Sequence, residues 1–223
     1  MTLPYRDRRE AGRVLAEHLR EYAHRDDVLV LALPRGGVPV AYEVAEALDV
    51  PLDVMIVRKL GTPMQPELAM GAIASGGARV LNHDVINMLG ITAADVEEVA
   101  QREREELLRR EEHYRGTRDE PDITDRSVIL IDDGLATGST MLAAVRALRQ
   151  QDPATIVVAV PVAPPQVCRA LDREVDEVVC AATPESFGGV GRWYRDFSQT
   201  TDEEVRRYLQ LAAQRERAGS RRV

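Results

Sequence analysis

The chain is poor in aromatic side chains: two phenylalanines, one tryptophan and six tyrosines make up 4% of its 223 residues. Any recognition by ring stacking must rest on very few positions. Lysine is almost missing. Of 29 basic residues only Lys59 is a lysine and the other 28 are arginine. Positive charge is not in excess either: 37 acidic residues against 29 basic give a net charge of −8, which argues against a basic nucleic-acid groove. No apolar run approaches the roughly 20 residues needed to span a bilayer. The stretch MTLPYRDRREAGR lacks the apolar core of a signal peptide, so a cytoplasmic protein is expected. Cysteine is scarce, and Cys168 and Cys180 sit in apolar contexts. They read as buried thiols in a reducing compartment rather than as a disulfide.

What remains is ordinary for a globular protein, with 44% hydrophobic and 30% charged residues. The length suits one α/β domain with a full core, here taken as residues 1–223. The pattern alternates between strands and helices. Residues 7–24 read as a helix, VLVLAL (28–33) as a strand buried on both sides, 38–48 as a helix and PLDVMIV (51–57) as a strand. In 58–82 the first half reads as loop and the second as a hairpin turning at Gly76-Gly77. Thr92 caps a helix over about 93–114, RGTRDEPDITDR is a linker, and VILID (128–132) is a strand. A helix at 138–150, a strand at 154–162, a short helix at 165–172, a strand at 175–181 and a last helix near 202–217 complete the series. This alternation predicts a Rossmann-like, mostly parallel sheet flanked by helices.

The most informative stretch is VILIDDGLATGST, residues 128–140. An apolar strand runs into Asp132 and Asp133, and a loop of small and hydroxyl residues leads into a helix. In such sheets ligands lie beyond the C-terminal strand ends. A small-residue loop at a helix N-terminus suits a phosphate, through close backbone N–H groups and partial positive charge. Thr137, Ser139 and Thr140 add hydroxyl donors. Carboxylates repel phosphate, and they accept hydrogen bonds well from vicinal sugar hydroxyls. Phosphate on one side and a diol on the other describe a ribose 5-phosphate group. A P-loop would need a lysine in this loop, which is absent. A DxD phospho-aspartate hydrolase would space its two acids one residue apart, and here they are adjacent. A receiver domain would need a later lysine, and the only lysine comes earlier. A bare solvated Asp-Asp turn does not account for the whole string.

This string resembles the PRPP-binding signature of type I phosphoribosyltransferases. The resemblance implies that Asp132 and Asp133 hold the ribose 2- and 3-hydroxyls, and that Ala136, Thr137, Gly138, Ser139 and Thr140 hold the 5-phosphate. The family grips pyrophosphate with a loop after its first sheet strand. LPRGG stands there, assigning that role to Arg35, Gly36 and Gly37. In several members the next strand ends in a basic pair, and VRKLG supplies Arg58 and Lys59, so the single lysine falls on an expected cation. The wider stretch LPRGGVPVAYEVAEAL…PLDVMIVRKLGTPMQPELAMGAIA is similar to a group of small bacterial phosphoribosyltransferase-like proteins. Together the likeness covers most of residues 10–205.

The family reaction implied is a pentosyl transfer of nucleotide metabolism. A nitrogenous base displaces pyrophosphate from C1 of PRPP, with Asp132, Asp133, Arg58 and Lys59 as the catalytic set. Mg²⁺ is the implied cofactor, held through PRPP and by Asp132 and Asp133. A mobile loop within 59–76 is expected to close over the site, and a hood within 183–200 to hold the base. Phe187, Trp193 and Tyr194, with Phe197, are its stacking candidates. Members that use 6-oxopurines carry an acid where this chain has Ala136, which departs from that substrate group. The implied partners are PRPP and a small-molecule base, with no nucleic acid and no membrane; a homodimer is the form common in the family. Two other readings keep the same pocket: a PRPP- or nucleotide-sensing regulator without catalysis, and a phosphoribosyl hydrolase or phosphatase.

Overall fold

The computed structural model describes residues 3–116 and 118–219. Two strand layers organise it. The larger is a five-stranded, all-parallel sheet in the order β2-β1-β6-β7-β8, built from β1 (Val28–Ala32), β2 (Leu52–Val54), β6 (Ser127–Ile131), β7 (Thr155–Val162) and β8 (Glu177–Ala182). The smaller is antiparallel, β3-β4-β5, from β3 (Val57–Gly61), β4 (Ala69–Ala74) and β5 (Arg79–Leu81). The helices are α1 (Arg8–His18), α2 (Gly37–Leu48), α3 (His83–Leu89), α4 (Ala93–Arg115), α5 (Ser139–Arg149), α6 (Pro165–Leu171) and α7 (Asp202–Gly219).

The continuous apolar strands follow from burial on both faces. In β1, Val28, Val30 and Ala32 face a cluster formed with α1, α2, α4 and α7, while Leu29 and Leu31 face a second cluster formed with α5 and α6. In β6, Ile129 and Ile131 join the first cluster, Val128 and Leu130 the second. Residues 28–32 and 128–131 are thus apolar at every position, because their period of two divides side chains between two cores.

The helix over 7–24 is shorter than read from sequence: α1 ends at His18 and a single 3₁₀ turn covers Arg20–Tyr22. The stretch 51–57 divides between two sheets, β2 ending at Val54 and β3 starting at Val57. Residues read as loop after 57 continue as strand to Gly61, because β3 pairs with β4 from Val57↔Ala74 onward. Irregular chain within the expected mobile loop is therefore confined to 62–68 and the turn at 75–77. The hairpin turn does use Gly76 and Gly77, both at positive φ (77° and 75°), where a side chain would be strained. Thr92 caps α4 through a reciprocal capping box with Asp95. Of the expected linker, Thr117 lies outside the described residues, as do 1–2 and 220–223 of the expected 1–223 domain.

The cysteine expectation is corrected. Cys168 on α6 and Cys180 on β8 form a disulfide, and both are half-buried rather than core residues. The short helix α6 packs directly on β8, which brings two side chains 12 residues apart into contact. Their apolar neighbours reflect that packing and do not report the redox state.

Candidate active site

Parallel register brings three strand ends together. Ala32 of β1 pairs with Ile131 of β6 on one side and with Val54 of β2 on the other. The chain leaving β1 becomes Leu33–Gly37, that leaving β6 becomes Asp132–Gly138, and that leaving β2 runs into Arg58 and Lys59. Leu33 N donates to Ile131 O at 2.8 Å, so the first two loops start side by side.

These two loops are in contact through glycine. A Cβ added to Gly36 would lie 2.1 Å from Asp133 Oδ2. One added to Gly37 would lie 2.7 Å from Ile131 O and 2.9 Å from Asp132 Cα. Only a residue without a side chain lets this loop lie against the two acids. The Pro34–Arg35 peptide is cis. The Arg35 guanidinium faces away from the acids, 3.8 Å from Asp202 at the start of α7, and that carboxylate also accepts the Tyr114 hydroxyl at 2.6 Å. These bonds hold the Asp202 carboxyl below its usual range, the Tyr114 contact being the largest cause and Arg35 a smaller one.

Asp132 and Asp133 are largely buried. Burial first, and then the adjacent Asp133 charge, push the Asp132 carboxyl well above the ordinary range, opposed by the Asp133 N–H donated to its Oδ1 at 2.8 Å. Burial also raises the Asp133 carboxyl, and the Arg8 guanidinium pulls it back. Arg8, at the first position of α1, donates from Nε to Asp133 Oδ2 at 2.8 Å, and its Nη2 lies 2.8 Å from the same oxygen as an ion pair. Spacing and motif did not mark this residue. It is one of 28 arginines and meets Asp133 across 125 positions of sequence.

The loop after the acids enters α5 through Gly138 at φ 75°, a left-handed conformation suited to glycine. Gly138 supplies no side-chain cap to α5 and the first turn holds no acid; Ser139 N makes only a long 3.4 Å bond to Thr137 Oγ1, so this helix start suits an anion. Ala136, Thr137, Ser139 and Thr140 are exposed, and Thr137 Oγ1 and Ser139 Oγ lie 3.1 Å apart. Ser139 and Thr140 share a cleft of about 310 Å³ with Val57, Arg58, Lys59, Gly71 and Ala72. Arg58 and Lys59 therefore do lie opposite the phosphate loop. Both are engaged elsewhere: Arg58 with Glu103 of α4 at 2.6 and 3.0 Å, Lys59 with Glu67 at 3.2 Å. A larger cleft of about 520 Å³, between α4 and α7, is lined by arginines but lies apart from the acids. Glu106, Asp53, Glu111 and Glu203 already pair with its Arg109, Arg115 and Arg206.

The tail 183–200 runs beside Asp133. Tyr194 is only 5% exposed, and its hydroxyl donates to Asp133 O at 2.5 Å. Its ring packs on Tyr5 and Phe197, with centroids 5.6 and 5.2 Å away. Tyr194 is thus no open platform for a base; it props the acid loop from behind. Phe187 and Trp193 are half-buried and stack on each other at 6.4 Å. The Tyr5↔Tyr194 bridge fastens the tail to the segment that precedes α1.

Residues 6–192 match the family model described as the phosphoribosyl transferase domain. The chain belongs to this family. It is 48% identical over 206 residues to two Mycobacterium tuberculosis proteins, each named "putative phosphoribosyl transferase", from strains CDC 1551 and H37Rv. That match covers 92% of this chain and 46% of theirs, so the chain spans about half the length of these curated relatives. The crystal structure of TT1426 from Thermus thermophilus is similar at 43% identity and a TM-score of 0.82, over 93% of this chain and 98% of that one.

Proposed function

We propose that this chain transfers the ribose 5-phosphate group of PRPP to a nitrogenous base and releases pyrophosphate. The observation that carries the reading is the contact between the PRGG loop and the Asp132–Asp133 pair, which requires glycine at both 36 and 37. It sets a pyrophosphate-type loop directly against a diol-type carboxylate pair.

In this reading, Asp132 and Asp133 accept hydrogen bonds from the ribose 2- and 3-hydroxyls. The uncapped turn of α5, with Thr137, Ser139 and Thr140, binds the 5-phosphate. The base nitrogen forms a bond to C1, the C1–O bond to pyrophosphate breaks, and the base gives up a proton. The protein mainly positions the reactants and stabilises charge on the leaving group. The backbone at 35–37, with Arg58 and Lys59 freed from Glu103 and Glu67, meets that charge. Closure of 62–68 over the cleft would bring Lys59 and its neighbours in and exclude water.

Mg²⁺ fits the residues present. Among the described residues no cluster of three or more His, Cys, Asp or Glu forms a cage, and hard carboxylate oxygens stand at Asp132 and Asp133. That donor set suits an ion held mostly by ligand oxygens and water, with one or two carboxylates. Bound there, it would supply charge stabilisation to the pyrophosphate.

The same reading puts the protein in the cytoplasm, in nucleotide metabolism, and as a homodimer. Among the described residues no helix is long and apolar enough to cross a membrane.

The test is thermal unfolding with Mg²⁺ and PRPP, beside ribose 5-phosphate, pyrophosphate and AMP, followed by a screen of bases for pyrophosphate release. Ligand at 100 times its dissociation constant stabilises by about 2.7 kcal/mol, a shift on the order of 5–10 °C at this length. Pyrophosphate release that depends on a base supports transfer. Release with water alone makes the protein a hydrolase. A nucleotide shift without any PRPP shift makes it a sensor.

A further inference from the structure

Asp133 enters the proposed chemistry, but the side chain that holds it does not. We infer that Arg8 is a positioning residue for the ribose: it fixes Asp133 from behind, so that Oδ1 is the oxygen presented to the diol. The inference rests on the phosphoribosyl reading above.

Oδ2 of Asp133 is the engaged oxygen. Arg8 Nε donates to it at 2.8 Å, Nη2 lies 2.8 Å from it as an ion pair, and Gly36 approaches it so closely that a Cβ there would lie 2.1 Å away. Among the described residues, Oδ1 accepts no hydrogen bond from any other residue. Asp132 is arranged in the same way: its Oδ1 accepts the Asp133 N–H at 2.8 Å, and its Oδ2 has no partner among the described residues. The pair thus offers two oxygens, one from each acid, to two vicinal hydroxyls.

Arg8 is built in rather than resting there. Its side chain is 11% exposed. Its third donor nitrogen, Nη1, donates to Ser198 O at 2.7 Å, and its guanidinium lies 4.1 Å from the Phe197 ring centroid. A planar fork can stack and donate at once, which an ammonium cannot. To leave, Arg8 would have to unstack from Phe197, abandon Ser198 and leave a 13% exposed carboxylate beside Asp132 without a counter-charge. A ligand that needs Asp133 has no reason to drive that. The support is continuous with the pyrophosphate loop: α1 packs on α2, which follows PRGG, and a Cβ on Gly12 would lie 2.6 Å from Val40 O. Arg8 and Gly36 are therefore carried by two closely packed helices, α1 and α2, whose starts meet at Asp133. Without Arg8, the two adjacent acids repel, and Asp133 loses the contact that fixes its orientation toward the diol.

Titration calorimetry on the full-length wild type, Arg8→Gln and Arg8→Lys, with Mg²⁺ and each of PRPP, ribose 5-phosphate and pyrophosphate, tests this. Wild type binds all three. Arg8→Gln loses about tenfold or more for PRPP and ribose 5-phosphate, the scale of one charge-assisted hydrogen bond, and keeps its pyrophosphate affinity within about twofold. Arg8→Lys recovers part of the loss, because it restores charge without the fork. A purely structural role would weaken all three ligands together, and that result overturns the inference. So does unchanged or tighter ribose 5-phosphate binding, the latter marking Arg8 as a latch. If wild type binds none of the three, the phosphoribosyl reading fails and takes Arg8 with it; normal binding in wild type and Arg8→Gln alike sinks Arg8 alone. Should Arg8→Gln not fold, Phe197→Leu removes only the stack and is expected to give the same ligand pattern at smaller amplitude; an unchanged pattern there counts against the inference.

Discussion

Asp133 and Lys59 are assigned to the same PRPP molecule, yet their surroundings differ. Asp133 is 13% exposed and meets Arg8, Gly36 and the bonded hydroxyl of Tyr194, on loops anchored to the parallel sheet. Lys59 is 46% exposed, on a short antiparallel strand, and its carboxylate partner Glu67 is fully exposed. The acids are held before any ligand arrives. Lys59 is held by an exposed partner that a ligand can replace, while Arg58 is tied more firmly to Glu103. A buried acid pair and a more open cation pair follow from where the residues sit: Asp132 and Asp133 at the end of β6 beside the loop leaving β1, Arg58 and Lys59 on a small sheet resting against α4 and α5.

The sharpest way to break the comparison is the double Asp132→Asn, Asp133→Asn variant. Two charge-assisted hydrogen bonds at about 1.5–3 kcal/mol each give a loss of roughly 10² to 10⁴-fold in PRPP affinity, measured by calorimetry. Stability should move the other way. The Asp132 carboxyl is raised in the folded state by burial and by Asp133. Its contribution is therefore most favourable at acid pH and is lost as pH rises through the folded-state value. Above that value the buried, ionised acid opposes folding. Asp132→Asn alone should raise the ligand-free Tm by about 2–4 °C, roughly 1 kcal/mol, with the gap closing on acidification. A lower Tm would mean that the acids are structural rather than reserved for a ligand.

The second variant separates the halves through the scaffold. Arg115 at the end of α4 is buried against Asp53 of β2 at 3.2 Å, with Glu111 and Val54 O as further partners. Arg115→Met leaves Asp53 buried and unpaired, a loss of about 3–5 kcal/mol in urea unfolding. Because α4 also carries Glu103, the partner of Arg58, the cleft should lose order before the acids do. Hydrogen exchange is expected to rise in β3 and stay low in β6. Equal loosening of both would show that the halves are not separate in stability.

Gly37→Ala tests the join between the two loops. Its Cβ would meet backbone, Ile131 O and Asp132 Cα, which no side-chain rotation relieves. Overpacking of this kind is expected to lower stability by about 1–3 kcal/mol and to weaken PRPP binding. Gly77→Ala serves as the control. It has a similar positive φ to other turn glycines but nothing within 4 Å, so it carries backbone strain without disturbing the acids. Its PRPP affinity should match wild type.

These differences bear on what could be read from sequence. The buried half was legible because a parallel strand, two acids and a glycine loop are contiguous in the chain, and Val128–Thr140 contains almost all of it. The open half was legible as residues but not as structure. VRKLG shows its two cations, while pairing of Val57 with Ala74, which makes it a strand rather than a loop, depends on a segment 17 positions away. Tyr194 was noticed because aromatics are few, and composition cannot tell a platform from a prop. Only the Tyr5 contact and the hydrogen bond to Asp133 O decide that. Arg8 and the disulfide were hidden for the same reason. Each is a pairing between elements, and neither partner carries a local signature of it.

The smallest effect expected belongs to the single lysine. Lys59→Ala removes an ion pair exposed on both sides, so Tm should not change measurably, since such pairs contribute little to folding. Pyrophosphate affinity should fall about five- to tenfold, one screened charge-assisted contact, while ribose 5-phosphate affinity stays as in wild type. Raising salt should narrow the difference between variant and wild type, because an exposed charge is screened within about a Debye length. Lys59→Arg refines this further. Arginine keeps the charge, so affinity at low salt should stay near wild type. If Lys59→Arg instead behaves like Lys59→Ala, a compact ammonium is required at this point of the cleft. The retention of one lysine among 28 arginines would then have a chemical reason.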